Sequence, residues 1–265
     1  MGRSSGETYE ALLSHLAPGA RCTRIQPADG NRALLGSADL SQFDGVFITG
    51  SPLHLYQDSP ECRRIITFMQ AVFASGTPSF GSCAGLQVAT VAAGGSVRSM
   101  GQRREAGFAR RIFPTDAGRD HPLLRGRPPA FDAPAVHTDE VAQLPPGATL
   151  LASNSTTHVQ AAEIRSEGGV FWGVQYHPEI SLCEVAAALR RQSKDLIEHG
   201  LAAGQEDVER KAALVQALHE APNRLDLAWQ LGLDEQVVAQ ERRTLEVRNF
   251  ITHLVLPART QRARS

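Results

Sequence analysis

Two short stretches of this sequence carry residue types that can do covalent chemistry together. The first is Gly81-Ser82-Cys83-Ala84-Gly85-Leu86-Gln87. Thr77-Pro78-Ser79-Phe80 before it reads as the end of a buried strand. The small apolar residues after it, up to Ala93, read as a helix stopped by Gly94-Gly95. A cysteine flanked by glycines at a strand-to-helix turn has the layout of a nucleophile elbow. The turn is sharp, and glycine removes the Cβ clashes that would forbid it. A sulfur at such a turn sits over a helix N-terminus, where the dipole and the free amides favour a thiolate, the form that attacks. Alone, the pattern also fits a small buried hydrophobe.

The second stretch is Gly173-Val174-Gln175-Tyr176-His177-Pro178-Glu179. Val170-Phe171-Trp172 leads into it as an apolar strand. Pro178 cannot sit in a central strand, so the strand must end near His177. Open parallel sheets place their chemistry at that C-terminal edge. A cysteine attacking an amide needs an ion-pair partner, and later a proton donor for the leaving amine. A histidine serves as both near neutral pH. Glu179 follows closely enough to accept from the other ring nitrogen and fix its tautomer.

The pair of motifs, in this order, resembles the class I, or triad, glutamine amidotransferases, and most closely the glutaminase domain of GMP synthase and its stand-alone relatives. Phe43 to Pro52 is similar to the family's strand and oxyanion turn, with Ser51 where most relatives have a second glycine. Ala135-Val136-His137-Thr138-Asp139-Glu140-Val141, then Leu144 to Ala148, is similar to the family's His-Gly-Asp-x-Val segment. The resemblance runs along residues 7–192.

It implies an α/β fold: a flavodoxin-like three-layer sandwich with a mostly parallel sheet and a small antiparallel extension. It implies Cys83 as nucleophile, His177 as its acid-base partner and Glu179 as the orienting carboxylate. The amides of Ser51 and Ala84 would form the oxyanion hole. Gly50, Gln87 and the backbone near Val136, Thr138 and Asp139 would hold the substrate, with Asp139 also able to cap the following turn. The substrate is a small molecule, glutamine or a γ-glutamyl compound, and the chemistry requires no metal or organic cofactor.

Two enzymatic readings share that chemistry. In the first, a glutaminase passes ammonia to a separate synthase, because the chain shows no ATP-binding Gly-rich loop and no synthetase domain of its own. The alternative is a stand-alone γ-glutamyl hydrolase or peptidase that releases another amine. A regulatory protein that lost the chemistry is disfavoured by the intact Cys83, His177 and Glu179.

The elements that must position these residues fit a chain of 265 residues and ordinary globular composition. A formal charge of −1 gives no bulk attraction to nucleic acid or an acidic membrane. Apolar runs are too short to span a bilayer, and no secretory signal is evident. Cys22, Cys62, Cys83 and Cys183 are too widely spaced for a zinc site, and a reducing cytoplasm suits a catalytic thiolate. A homo-oligomer stays open.

The expected organisation is an amidotransferase domain over residues 1–199 and a helical C-terminal extension over residues 200–265. Glu7 to Leu16 reads as an amphipathic helix and Cys22 to Ile25 as an alternating strand. The family opens with a buried strand before that helix, whereas Met1 to Gly6 has no hydrophobic run; either the first strand is absent or the start lies upstream, and the second reading is favoured. Ser59-Pro60-Glu61 announces a helix, with Leu53 to Asp58 as a loop near the site, where His54 and Tyr56 could touch substrate but read first as loop packing. Ser96 to Met100 and Arg104 to Ile112 read as strands of one meander. Phe131 to His137, Ala148 to Ser153, Val159 to Ile164 and Val170 to Tyr176 read as further strands. Leu182 to Ile197 reads as one helix, and Glu235 to Leu254 as another with an apolar stripe to bury. Arg259, Arg262 and Arg264 read as a solvated basic end.

Overall fold

The computed structural model describes residues 4–29 and 33–264. Ser4 caps helix α1 (Ser5–Leu16) in a reciprocal pair with Glu7. The part of the expected strandless opening that falls on Met1 to Arg3 lies outside the described residues. From Ser4 onward no strand precedes α1. Cys22 to Ile25 is irregular and exposed, not a strand. Alternation makes a strand only where a neighbour takes up the backbone groups, and none does so there.

A short helix α2 (Ser37–Leu40) precedes strand β1 (Val46–Ile48). Helix α3 (Pro60–Ser75) begins as its sequence announces: the Ser59 hydroxyl accepts from the Cys62 amide, and Pro60 takes the first position. Strand β2 (Ser79–Ser82) and helix α4 (Ala84–Ala92) flank Cys83. Then come β3 (Ser96–Ser99), β4 (Glu105–Pro114), the short α5 (Asp116–Arg119), β5 (Phe131–His137) and β6 (Asp139–Gln143). The hairpin-forming strands β8 (Ala161–Ser166) and β9 (Gly169–Val174) follow β7 (Ala148–Ser153).

The main sheet has seven strands in the order β1-β2-β9-β8-β7-β4-β5. β1, β2 and β9 are parallel, and each pairing beyond β9 is antiparallel. The fold is the expected α/β sandwich, with an antiparallel side more extensive than its sequence suggested. β3 does not form a meander with β4. Both sides of β4 are taken by β5 and β7, so β3 pairs with β6 in a separate two-stranded sheet.

Period-2 alternation sorts the strand residues between two cores. Phe171 faces α3 and α4 with Phe68, Met69, Phe73 and Leu86. Trp172 and Phe80 face the opposite way, with Tyr9 of α1 and Tyr176. Each such side chain, fully buried, contributes about 1.5–3 kcal/mol.

Helix α6 (Leu182–Arg191) gives way to α7 (Ser193–Glu198) at Gln192, so the expected single helix is two. Helices α8 (Gln205–Glu220) and α9 (Leu225–Leu231) pack a third apolar cluster against α6. The stretch from Glu235 is not one helix either. It breaks into α10 (Glu235–Val238), α11 (Gln240–Arg243), α12 (Leu245–Phe250), a wide π turn (Ile251–Val255) and α13 (Leu256–Arg262). The reason is that its apolar residues serve two cores. Val237 packs with α6 and α8, whereas Val247, Phe250 and Val255 pack on the sheet with Trp172 and Tyr176. A straight helix cannot face both, and the extended backbone at Ala239 makes the change of direction. Arg262 is not a solvated end: it donates to the carbonyl of Phe43 at 2.9 Å and to Asp44 at 2.8 Å, beside the start of β1. Among the described residues no helix is long and apolar enough to cross a membrane.

Candidate active site

β2 ends at Ser82 and α4 begins at Ala84, so Cys83 makes the turn by itself. Its backbone lies at φ 51° and ψ −110°, a region that L-residues rarely enter. The Cys83 amide donates to the Val174 carbonyl of β9 at 2.8 Å, which ties the turn to the next strand. The flanking glycines are required by close approach. A Cβ on Gly81 would lie 2.9 Å from the Gly85 backbone, and a Cβ on Gly85 would lie 2.4 Å from the Ile48 carbonyl oxygen at the end of β1. Because α4 can press against β1 here, Thr49-Gly50-Ser51 emerges beside the elbow.

His177 lies just past the end of β9, and its amide donates to the Pro134 carbonyl of β5 at 2.7 Å. Its Nδ1 is 2.7 Å from Oε1 of Glu179. The Cys83 sulfur is the ring's other electrostatic neighbour, and Gly50 stands against Cε1, where a Cβ would be 3.4 Å away. Burial alone would pull the His177 pKa down. The Glu179 carboxylate and the Cys83 sulfur outweigh burial and hold it well above the usual histidine range. That balance favours the charged form of the ring. Glu179 is buried, and its Oε1 also accepts from the Ser82 hydroxyl at 2.9 Å.

The other expected residues stand on the neighbouring elements α4, β5, β6 and the turn after β1. The Ala84 amide opens α4, where no helical carbonyl precedes it. Ser51 is exposed in the turn after β1, and its hydroxyl accepts from the Leu53 amide at 3.2 Å. Gln87 is buried, and its Nε2 donates to the Asp139 carbonyl at 3.0 Å and to Oε1 of Gln175 at 3.3 Å. Val136 is half-buried in β5, opposite Ala106 of β4. The Thr138 carbonyl accepts from the Met100 amide at 2.9 Å.

Three features escaped the sequence reading. Asp139 does not merely cap a turn: its Oδ2 pairs with Nδ1 of His54 at 2.7 Å. His54, which reads as loop packing, thereby reaches the expected substrate segment. Beneath that segment, His137 donates from Nδ1 to the Asp139 carbonyl at 3.0 Å, and its Nε2 pairs with Glu105 at 2.8 Å. Burial opposes charge on Glu105. The His137 ring and the amides of Asn154 and Gln160 outweigh it and hold that carboxyl below its usual range. Ser82 is the third, and the hydroxyl beside the cysteine was its only sequence signal. Among the described residues no group of three or more His, Cys, Asp or Glu is arranged to hold a metal ion.

Comparison with known proteins bears on this geometry. The family model for class-I glutamine amidotransferases matches residues 15–193. A gamma-glutamyl-L-1-hydroxyisopropylamide hydrolase from a Pseudomonas species is 37% identical over 262 residues, covering 97% of this chain and 87% of that protein. A glutamine-hydrolyzing GMP synthase from Leifsonia xyli subsp. xyli is 32% identical over 145 residues, 55% of this chain. The match spans only 27% of that synthase. Among solved structures, a glutamine amidotransferase from Methylobacillus flagellatus superposes with a TM-score of 0.63 at 18% identity, over 92% of this chain and 88% of that one. At that identity the likeness is one of fold.

Proposed function

This chain belongs to the class-I glutamine amidotransferase family, and from that premise we propose that it hydrolyses the γ-amide bond of a γ-glutamyl amide, releasing glutamate and a small amine. The observation that carries this reading is the reach of the likeness to the γ-glutamyl amide hydrolase. It covers 97% of the chain, including the C-terminal helices, whereas the likeness to the GMP synthase covers 55%. Of those helices, α12 shares the apolar core of the strand leading to His177, and α8 to α10 pack on α6, the helix that follows Glu179. The first reading, ammonia handed to a separate synthase, gains no support from the relatives for its partner. The alternative weighed beside it is the better supported of the two.

The proposed mechanism is the family's covalent one, run on these residues. The Cys83 thiolate attacks the γ-carbonyl carbon, and the carbonyl π pair moves onto oxygen. The amides of Ser51 and Ala84 donate to that oxyanion, where charge develops only in the transition state. Collapse re-forms the carbonyl and breaks the C–N bond as His177 gives its proton to the leaving amine. A thioester to Cys83 remains. Water then attacks it, His177 takes the water proton, the C–S bond breaks, and glutamate leaves with the thiolate restored. Glu179 holds the imidazole by Nδ1 throughout and offsets its charge. Gly50, Gln87, Asp139 and the strand backbone at Val136 and Thr138 are the groups assigned to hold the glutamyl end.

A panel of γ-glutamyl alkylamides and hydroxyalkylamides assayed beside glutamine tests this. The expected result is a kcat/KM at least about tenfold higher for an alkylamide than for glutamine, a difference of one pocket contact in discrimination. Hydrolysis of glutamine alone, with no turnover of any substituted amide, would return the chain to the glutaminase reading.

A further inference from the structure

We propose that Tyr9 and Ser82 are positioning residues for the hydrolysis, forming a buried hydrogen-bond chain that fixes Glu179 from behind. This rests on reading Cys83, His177 and Glu179 as the catalytic trio. The Tyr9 hydroxyl lies 2.8 Å from the Ser82 hydroxyl, and Ser82 donates to Oε1 of Glu179 at 2.9 Å. His177 reaches the same Oε1 at 2.7 Å. Tyr9 is 2% exposed, Ser82 0% and Glu179 8%, so water does not compete freely for these bonds.

The direction of the chain follows from counting protons. A serine hydroxyl has one proton, and Ser82 gives it to the carboxylate. Ser82 can therefore only accept from Tyr9. The order is Tyr9 to Ser82 to Glu179, with His177 donating from the other side. Burial, and then the nearby Glu179 charge, hold the Tyr9 phenol protonated far above neutral pH, so the donor is not lost in the working range.

Two donors converge on Oε1, while Oε2 of Glu179 is buried with no partner among the described residues. The carboxylate thus has two holds, one from His177 and one from Ser82. Without Ser82, only the ring it is meant to orient would orient it. The same chain recruits α1 to the site. Tyr9 packs its ring 5.7 Å from that of Phe47 on β1. The adjacent Thr8 donates to Glu184 at 2.6 Å, and Glu184 closes the capping box of α6, which follows Glu179. Helix α1 is therefore tied to the carboxylate through Ser82 and to the first turn of α6 through Glu184.

Steady-state kinetics of Ser82→Ala, Tyr9→Phe, the double variant and Cys83→Ala on the best γ-glutamyl amide test the proposal, with melting curves as a folding check. Loss of one hydrogen bond to a buried charge predicts a kcat lower by about tenfold for Ser82→Ala and by about threefold for Tyr9→Phe. KM should stay within about twofold in both, since neither residue is placed to touch substrate. The double variant should lose clearly less than the product of the two single effects, because Tyr9 and Ser82 act on one carboxylate. Unchanged kcat in Ser82→Ala, beside an inactive Cys83→Ala, would overturn the chain and leave the trio intact. Multiplying effects in the double variant, or effects confined to KM, would overturn it too. Activity surviving in Cys83→Ala would overturn the trio itself, and the proposal with it. Should Ser82→Ala not fold, Tyr9→Phe, which keeps the packed ring, decides: unchanged kcat overturns the proposal.

Discussion

The Tyr176 hydroxyl donates to Oε1 of Glu246 across 2.8 Å, joining the residue before His177 to a helix near the end of the chain. Glu246 is fully buried, and Arg127 grips both its oxygens, through Nε at 2.7 Å and Nη2 at 2.8 Å. Arg127 is just as enclosed, with its side chain 1% exposed. Removing one partner of a buried pair leaves the other charge uncompensated. We predict that Glu246→Ala lowers unfolding free energy by about 3–5 kcal/mol. Replacing both partners by apolar residues of similar volume should cost much less. Urea unfolding of the three proteins checks this; a loss under about 1 kcal/mol in Glu246→Ala would refute it.

The sulfur chemistry predicts selective labelling. Cys62 is buried with its thiol donating to the His54 carbonyl at 3.5 Å, Cys183 is exposed, and Cys83 neighbours the His177 ring. Burial and the Glu10 charge push the Cys22 thiol pKa up, which disfavours its reactive form. A glutamine-mimicking electrophile should modify Cys83 in a one-to-one ratio and stop hydrolysis, as should Cys83→Ala. Peptide mapping that finds the label mainly at Cys183 would reject the assignment.

The trio could be read from the chain because each motif is local. Cys83 needs only its flanking glycines, and His177 with Glu179 needs only the strand that ends before them. Ser82 stood inside the first motif, yet its role depends on Tyr9, which is 73 residues away and reads as one more apolar position of a helix. The pairing of β3 with β6 was hidden for a related reason. Period-2 alternation says that a strand exists but not which neighbour has a free edge. In the C-terminal stretch, Val237 and Phe250 fit one helical stripe on paper but are buried in different cores. A stripe shows what must be buried, not against what.

The raised pKa of His177 sets the pH dependence. A histidine raised in the folded state contributes stability that is fully present below its unfolded value, about 6.5. That share is lost as pH rises through the folded value. Loss of the imidazolium, and with it of the proton for the leaving amine, should set the alkaline limb of kcat/KM. Glu179→Gln removes the strongest raising influence and should shift that alkaline limb downward. A limb that stays in place in Glu179→Gln would show that another group sets it.

Acid stability should depend on Glu163. Burial works against its charge, but donors from His121, Arg165 and Trp172 outweigh it and bring its pKa down to about 2. A depressed carboxyl contributes stability present above its unfolded value and lost as pH falls through the folded one. This contribution, on the order of 3 kcal/mol, should drain between about pH 4.5 and 2. Glu163→Gln should unfold more readily at pH 7 and show a flatter decline over that window. Parallel acid slopes in the two proteins would discount Glu163.

The elbow itself offers the sharpest steric test. Gly85 and Ile48 meet where α4 crosses the end of β1, and a Cβ on Gly85 would sit 2.4 Å from the Ile48 carbonyl oxygen. That atom is backbone, held in a parallel ladder with Gly81, so it cannot swing aside as a flexible side chain would. Gly85→Ala must push β1 away from α4. The turn that follows β1 carries Gly50 and Ser51, so the same push moves the expected oxyanion donor away from Cys83. Overpacking of this kind costs about 1–3 kcal/mol or more in stability. Loss of one oxyanion donor costs about a hundredfold or more in kcat. Gly94→Ala makes a suitable control: its φ of 94° also strains an alanine, but no atom lies within 4 Å of its Cβ and it is far from the elbow. The expected pattern is a melting temperature lowered in both variants, with kcat collapsing only in Gly85→Ala. Near-normal kcat in a folded Gly85→Ala would mean that the spacing between elbow and turn does not set the oxyanion hole, and the role given to Ser51 would fall with it.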